Sequence, residues 1–482
     1  MRARSGQLLA ALTALAAILR FSTLHVQSFW FDEAVTVQLV PGSFGHMLSS
    51  IGGSESTPPL YYAIAWVWSR VFGHGEVGLR SLSALAGTLF VPVAYAAGKE
   101  LASRRVAVVI AALAAFNPLL IWYSQEARSY SLLTLFAGLS FWLFARLLRE
   151  QNDRTLVLWT VASALAIATH YFAAFVVAPE AAWLLLRARD RRRPALAVVA
   201  LFAVGGALLP LLLRQRRLDL TAFITQSSVV KRMVQVAKQF VVGYSSPAQT
   251  VVVVLGACLI AVALGLVFAR LVERERRAAK IAALVGLVAV GIPVVLAIFG
   301  ADYLDTRNVL GAWLPLMLVP AIGLGGRRAG RTGAVTLAGL CAVGLFVSIT
   351  VWANPAYQRE NDRALAHALG SPTLPRAIVL TPSSSRVPLG LYTRPFQLRP
   401  IPVREVDLVA LPVRSSVFSG AKPPPRFRNH PPFTPGLNLD EQRFPRAYTL
   451  IRFRSSTPVL LKPNFLLSLR LDPRPAVVLY QR

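Results

Sequence analysis

Two adjacent carboxylates, Asp32 and Glu33, stand in the run SFWFDEAVT, directly after an apolar stretch. Carboxylates placed there have two uses. They can cap the first turn of an interfacial helix, where the helix dipole favours negative charge. They can also act in chemistry, because ionisable groups kept close to an apolar phase tend to be functional. Other polar clusters recur down the chain: Tyr61 and Tyr62 in TPPLYY, Glu126 and Arg128 in SQEARSY, His170 and Tyr171 in THYF, Arg214 and Arg217 in RQRR, and Arg307 in DYLDTRN. Arginine beside a carboxylate either forms an ion pair or holds an anionic group. For Arg128 the alternatives are a pair with Glu126 that fixes the loop, or a contact to substrate; for Arg307, a structural anchor or an anion ligand. Tyrosines at these positions also suit an interfacial aromatic belt, and a lone histidine there suits a hydrogen-bonded boundary residue.

The elements that would hold these residues are membrane helices. Of 482 residues 55% are hydrophobic and 15% charged, and the mean hydropathy is positive, which excludes an ordinary soluble protein. Apolar runs fall at about 7–24, 81–98, 106–121, 131–148, 155–169, 171–187, 195–213, 250–269, 281–299, 309–325 and 332–352. Each is long enough to approach a hydrocarbon core of roughly 30 Å as a helix. About eleven spans are therefore predicted. The first follows Arg2 and Arg4 and reads as a retained helix, since SFWF and no small-residue cleavage site comes after it. The run LYYAIAWVW is too short to span and is placed in the interface, behind Pro58 and Pro59, which suit a helix start.

Orientation follows from lysine and arginine. Alternate loops carry GKELASRR, RLLREQNDR, RARDRRR, RLVERERRAAK and GGRRAGR, and these face the cytoplasm together with the N-terminus. The loops bearing Asp32, Arg128, His170 and Arg307 then face outward and would line one cavity. These basic loops account for most of the net charge of +29, so nucleic-acid binding is not implied. One outer segment, about 214–249, is itself basic. Within it VVKRMVQVAKQFVV has helical spacing of apolar residues with cations between, as in a helix lying against lipid headgroups or guiding a lipid phosphate. Cys258 and Cys341 fall inside spans and read as buried packing residues.

From residue 353 the composition shifts. Short β-like runs AIVL, RAYTLIRFR and AVVLYQR, a helix in ENDRALAHALG ended by Gly370, and the proline-rich AKPPPRFRNHPPFTPG predict a small extracytoplasmic α/β domain. The predicted division is 1–352 and 353–482.

The order WFDEAVT, TPPLYYAIAWVW, GEVGLRSLSALAGTL, QEARSYSLLTL, THYFA resembles the membrane glycosyltransferases of the GT-C class, family 39, whose members include the protein O-mannosyltransferases and the lipid A aminoarabinose transferase. The resemblance covers roughly residues 10–350. It implies an inverting transfer from a polyprenyl-phosphate sugar to the hydroxyl of an extracytoplasmic glycan, lipid or protein, at the plasma membrane. On the residues of this chain it implies Asp32 as general base, with Glu33 as helper or metal ligand. Arg128, Arg307, Arg214 and Arg217 are candidates for the donor phosphate, and Glu126, Tyr61, Tyr62, His170 and Tyr171 for the substrate.

That chemistry needs one base, for the acceptor proton. It needs no general acid, since the leaving group is already a phosphate; it needs positive charge, from arginines or a divalent cation. The sequence departs from many relatives in having Thr57 where they carry histidine before PLYY, which puts metal dependence in doubt; His46 and His170 are the substitutes weighed. A transporter or flippase of lipid-linked saccharides is the alternative. Transporters of that kind often show repeated halves with helices broken at mid-membrane, and no such repeat is visible here.

Overall fold

The apolar runs become helices wherever a cap or a proline does not interrupt them. The computed structural model describes residues 2–187, 190–218, 222–412 and 436–482. It opens with α1 (Arg2–Phe21), α2 (Phe31–Leu39), α3 (Phe44–Ser54) and α4 (Leu60–Phe72). There follow α5 (Glu76–Leu101), α6 (Arg104–Phe116), α7 (Pro118–Ser124), α8 (Tyr130–Leu147), α9 (Asp153–Thr169), α10 (Ala174–Arg187) and α11 (Arg192–Arg216). The series continues with α12 (Val229–Val242), α13 (Gln249–Arg270), α14 (Glu273–Ile298), α15 (Trp313–Gly325) and α16 (Gly330–Ala353).

Among the described residues, seven helical segments are long and apolar enough to cross a bilayer, and α6 with α7, bent by 56°, makes an eighth if counted as one. The fold is thus the expected polytopic helical one, with fewer full-length spans than the eleven apolar runs. The remaining runs are helical but short: the apolar part of α1 covers Ser5–Phe21, α9 has 17 residues and α10 has 14. A 3₁₀ turn over Tyr171–Ala173 removes residues that the run 171–187 had counted as helix.

The break between α6 and α7 has an identifiable cause. Pro118 has no N–H to continue α6, and Asn117 accepts hydrogen bonds from the amides of Leu119 and Leu120, both at 3.1 Å, starting a new helix. Carbonyls at the end of α6 then need donors. Arg20 of α1, fully buried, supplies them, donating to the carbonyls of Ala114 (2.9 Å) and Ala115 (3.2 Å) and to Ser124 Oγ (3.2 Å). Gly87 of α5 permits this junction, since a Cβ there would lie 2.0 Å from Ser124 Oγ and 3.1 Å from Arg20 Nε.

Cys258 is exposed and Cys341 partly so, which corrects the expectation of buried packing. Only 22% of the apolar window of α13 is buried, so most of its side chains, Cys258 among them, are turned outward.

The contacts divide the chain into two compact units, one of residues 1–24 and 38–349, the other of 25–37 and 350–482. The second unit contains the acidic run as well as the C-terminal domain. Its sheet has the order β3-β4-β2-β1-β5, built from β1 (Arg376–Thr381), β2 (Val403–Ala410), β3 (Asn438–Arg443), β4 (Thr449–Val459) and β5 (Val477–Gln481). The β1–β2 pair is parallel and the others antiparallel. Helix α17 (Asp362–Leu369), capped by Asn361 and closed by Gly370 at φ +64, packs Leu365 and Leu369 with Ile378, Leu380 and Val409. The runs AIVL, RAYTLIRFR and AVVLYQR do contribute β1, β4 and β5. The proline-rich run lies outside the described residues except for Gly436.

Strand β2 has no counterpart among the expected strands because Glu405 and Asp407 give VREVDLVA the look of a solvated segment. Both are buried, and arginines of the neighbouring strands compensate them. Arg452 Nε donates to Asp407 at 2.7 Å, Arg454 Nε to Glu405 at 2.9 Å, and Arg376 sits 3.7 Å from each carboxylate.

Candidate active site

In the helical unit, the polar residues singled out from the sequence gather at helix ends. The nucleus is an ion pair between Arg128 and Glu55, 73 residues apart. Glu55 follows the last turn of α3, its amide bonded to the carbonyl of Ile51 at 3.1 Å. Arg128 Nη1 and Nη2 donate to Glu55 Oε1 and Oε2 at 2.7 and 2.8 Å, with side-chain exposures of 5% and 4%. This parallel, buried geometry is the strong form of the arginine–carboxylate contact. The loop of Arg128 is itself tightened by a hydrogen bond from its amide to the carbonyl of Glu126 at 2.8 Å, and its carbonyl accepts from Ser83 Oγ at 3.2 Å. Glu126 is buried in the same loop. The Glu55 partnership was not weighed from the sequence, where Glu126 was the carboxylate considered.

Tyr62 faces this pair. Its hydroxyl lies 3.2 Å from Thr57 Oγ1, and burial raises it well above the ordinary phenol value, so it stays protonated. Tyr61 packs edge-on against it at 5.2 Å. Both rings are wholly buried, so they shape the wall of the cluster instead of lying open at a surface. Thr57, the departure from the histidine of relatives, is thereby occupied with Tyr62.

His170 closes α9, and its Nδ1 accepts from the amide of Phe172 at 3.4 Å. Its pKa is pushed down to about 3 by burial, and Arg307 and Arg128 add to the effect. The imidazole is therefore neutral. Arg307 follows the last long loop before α15. Its amide bonds Asp305 Oδ1 at 3.1 Å, while its Nε lies 3.7 Å from the same oxygen, with 20% of the side chain exposed. Asn308 Nδ2 donates to the carbonyl of Tyr303 at 2.9 Å, and Tyr303 packs on Phe172 at 5.2 Å.

Tyr171 donates its hydroxyl to Gln215 Oε1 at 2.8 Å. Gln215 in turn gives its Nε2–H to the carbonyls of Thr57 at 3.0 Å and Ile51 at 3.4 Å. Gln215, unremarked in the sequence because it sits inside RQRR, therefore joins the end of α11 to the turn that carries Glu55. Its neighbour Arg214 lies across Gly52: a Cβ on Gly52 would come within 3.0 Å of Arg214 Cδ and 3.1 Å of Nε. Arg217 is exposed beyond the end of α11, outside the buried network.

Helix α12 corrects the expectation of cations turned toward headgroups. Val230, Met233 and Val234 are exposed, at 69%, 44% and 45%, whereas Arg232 and Lys238 are buried. Arg232 holds the loop before Arg307, donating to Asp302 Oδ1 and Oδ2 at 2.6 and 2.5 Å and to the carbonyl of Leu304 at 3.0 Å. Val236, Phe240 and Val242 are buried as well, so apolar side chains lie on both sides of the helix while Arg232 is committed to the protein.

Asp32 and Glu33 belong to the other unit, on the first turn of α2. Glu33 is fully buried and Asp32 partly exposed. Glu33 Oε2 accepts from the amide of Trp30 at 3.4 Å, a long hydrogen bond in the manner of a helix start, so the capping role does exist and falls to Glu33.

No group of three or more histidine, cysteine, aspartate or glutamate side chains among the described residues comes close enough to hold a metal ion. His46, near the start of α3, stands at an exposed position, and His170 is bound up with Phe172.

Helices long and apolar enough to cross a membrane, with ionisable side chains collected at their ends, describe a polytopic helical membrane protein. Residues 56–213 match the family profile of dolichyl-phosphate-mannose-protein mannosyltransferases, which bears out the resemblance to family 39. That stretch holds Tyr61, Tyr62, Glu126, Arg128, His170 and Tyr171 and stops one residue short of Arg214.

Among solved structures the chain is similar to ArnT from Cupriavidus metallidurans bound to undecaprenyl phosphate, at 17% identity and a TM-score of 0.49, over 75% of this chain and 68% of that one. It is similar also to the Archaeoglobus fulgidus oligosaccharyltransferase, at 14% identity and a TM-score of 0.46, over 80% and 57%. The S. cerevisiae Pmt1-Pmt2 complex bound to its sugar donor aligns at 16% identity and a TM-score of 0.36, over 45% and 34%. No curated protein sequence matches the chain.

Proposed function

We propose that this chain transfers a sugar from a polyprenyl-phosphate-linked donor to a hydroxyl of a glycan, lipid or protein on the outer face of the plasma membrane. In this reading the N-terminus is cytoplasmic and residues 353–482 are extracytoplasmic. The observation that carries it is the buried, bidentate Arg128–Glu55 pair gathered with Tyr62 and Thr57 at the helix ends, in a chain whose residues 56–213 match the family profile of dolichyl-phosphate-mannose-protein mannosyltransferases.

Asp32 takes the proton of the acceptor hydroxyl as that oxygen bonds to the anomeric carbon. The bond from the anomeric carbon to the phosphate oxygen breaks on the opposite side, its electron pair leaves with the polyprenyl phosphate, and the sugar is inverted. Of the two arginines, Arg128 already spends two nitrogens on Glu55. Arg307, partly exposed at the end of the loop that leads to α15, is the cation assigned to the leaving phosphate. Arg128 and Glu55 then fix the turn that opens α4.

The test is incubation of the purified protein with a panel of polyprenyl-phosphate sugars while polyprenyl phosphate release is followed. Asp32→Asn is expected to abolish release with thermal stability unchanged; a fully active variant would remove Asp32 from the role of base. Absence of release with every donor, together with movement of the lipid-linked sugar across vesicles, would favour the transporter reading instead.

A further inference from the structure

The acidic run belongs to the same compact unit as the C-terminal domain, and the bonds that hold it there are specific. The amide of Phe29 donates to Tyr392 Oη at 2.7 Å. Arg363 Nη2 donates to the carbonyls of His25 and Val26 at 2.8 and 3.2 Å. The amide of Arg359 donates to Gln27 Oε1 at 3.0 Å, Ser28 Oγ donates to the carbonyl of Glu360 at 2.9 Å, and the Arg359 guanidinium lies 4.0 Å above the Trp30 ring. Residues 25–30 lead without a break into α2, so each constraint acts within seven residues of Asp32.

These contacts exceed what anchoring an ordinary loop requires. Residues 25–30 contain no regular helix or strand, so no helix or sheet ladder satisfies their backbone groups. The C-terminal domain supplies partners for four consecutive residues, His25 carbonyl through Ser28 hydroxyl, and then for the amide of Phe29. Arg359 and Glu360 stand just before α17, Arg363 is in its first turn, and Tyr392 packs on the core that α17 shares with the sheet.

We propose that Arg359, Arg363 and Tyr392 are positioning residues: the C-terminal domain sets the direction from which α2 presents Asp32. The proposal rests on the reading of Asp32 as the base. A base must sit within hydrogen-bond reach of the proton it takes, and a displacement of about 1 Å can cost about 10²-fold in rate. The domain therefore acts on turnover through the geometry of one carboxylate.

Tyr392→Phe keeps the ring in its core and removes the acceptor of the Phe29 amide; Arg363→Ala removes the two carbonyl contacts. Donor release kinetics, thermal unfolding and hydrogen–deuterium exchange are measured on the full-length variants. The expected result is a fall in kcat of about 10- to 10²-fold, an unchanged donor KM, faster exchange of the amides at 25–37, and unchanged protection of β1, β2 and β4. Arg359→Lys, which keeps the charge over Trp30, should recover part of the turnover that Arg359→Ala loses.

Wild-type kcat in Tyr392→Phe and Arg363→Ala alongside faster exchange at 25–37 would overturn the proposal. So would loss of kcat accompanied by loss of sheet protection, which marks a general unfolding effect. If Asp32→Asn is inactive while these variants retain full turnover, positioning fails and the base stands. If Asp32→Asn is active, the base reading fails, and the exchange data alone still report whether the domain orders the segment.

Discussion

Arg128 and Glu55 offer the sharpest separation of a structural role from a chemical one. Replacing Arg128 by Met leaves the Glu55 carboxylate, 4% exposed, without the two donors that now meet it at 2.7 and 2.8 Å. Breaking a buried pair by removing one partner costs about 3–5 kcal/mol, whereas replacing both partners by uncharged residues of similar size is often close to neutral. Glu55→Gln alone leaves the guanidinium short of one charge-assisted contact and should cost about 1.5–3 kcal/mol. The double variant should return to within about 1 kcal/mol of the parent, a coupling energy of about 3 kcal/mol or more between sites in direct contact. Unfolding of the four proteins in detergent, with polyprenyl phosphate release measured on each, completes the cycle. If Arg128 serves to hold Glu55, release by the double variant should lie within about tenfold, or about 1.4 kcal/mol, of the parent. A double variant that is as stable as the parent yet silent would show Arg128 acting directly on the donor, and would refute the assignment of the phosphate to Arg307. Independent effects of the two substitutions on stability would refute the pair as the element that fixes the turn.

Two carboxylates should give opposite pH dependence of stability. The hydrogen bonds from Arg232 hold Asp302 below its ordinary value of 3.8, so its contribution is present above that value and is lost as pH falls through the lowered one; Asp302→Asn should flatten the acid limb of a thermal-unfolding series. Burial raises Asp362 well above 3.8, so stability is highest below that value and is lost as pH rises through the raised one, and Asp362→Asn should remove that decline. Arg20→Met deprives the end of α6 of the donors at Ala114 and Ala115 and should cost about 3 kcal/mol, read as a lower midpoint in detergent unfolding.

The parts of the fold that follow from composition and local chemistry were legible. Long apolar runs could only be helices in a bilayer, since each backbone group must find its partner within its own segment. Gly370 could be recognised as the end of α17 because a residue at φ +64 favours glycine. The clusters containing Arg128, His170, Tyr171 and Arg307 were legible as polar residues between apolar runs. Their wiring was not. Glu55 stands in GSESTPP, where a carboxylate reads as loop surface, and only the approach of two chain segments 73 residues apart turns it into the partner of Arg128. Gln215 was hidden for a related reason: between arginines in RQRR it reads as part of a solvated basic run, although it is the buried member of that run.

Helix α12 shows where sequence periodicity stops being informative. Apolar residues recurring with cations between them establish that a helix has two faces, but the pattern is silent on which face meets the protein. In water the apolar face would turn inward. Beside a membrane apolar side chains can lie on both faces, because lipid accepts Val230, Met233 and Val234 at no hydrophobic cost while Val236 and Phe240 are buried, and Arg232 gains two carboxylate oxygens and a carbonyl. The deciding information is the position of Asp302, on a loop 70 residues away. Buried arginine also explains why the net charge of +29 cannot be assigned wholesale to loops and headgroups: Arg20, Arg80, Arg128, Arg232 and Arg376 are buried, each donating to carbonyls or carboxylates. In this chain an arginine within or beside an apolar run can join two helices, or a helix and a loop, as Arg20 and Arg232 do.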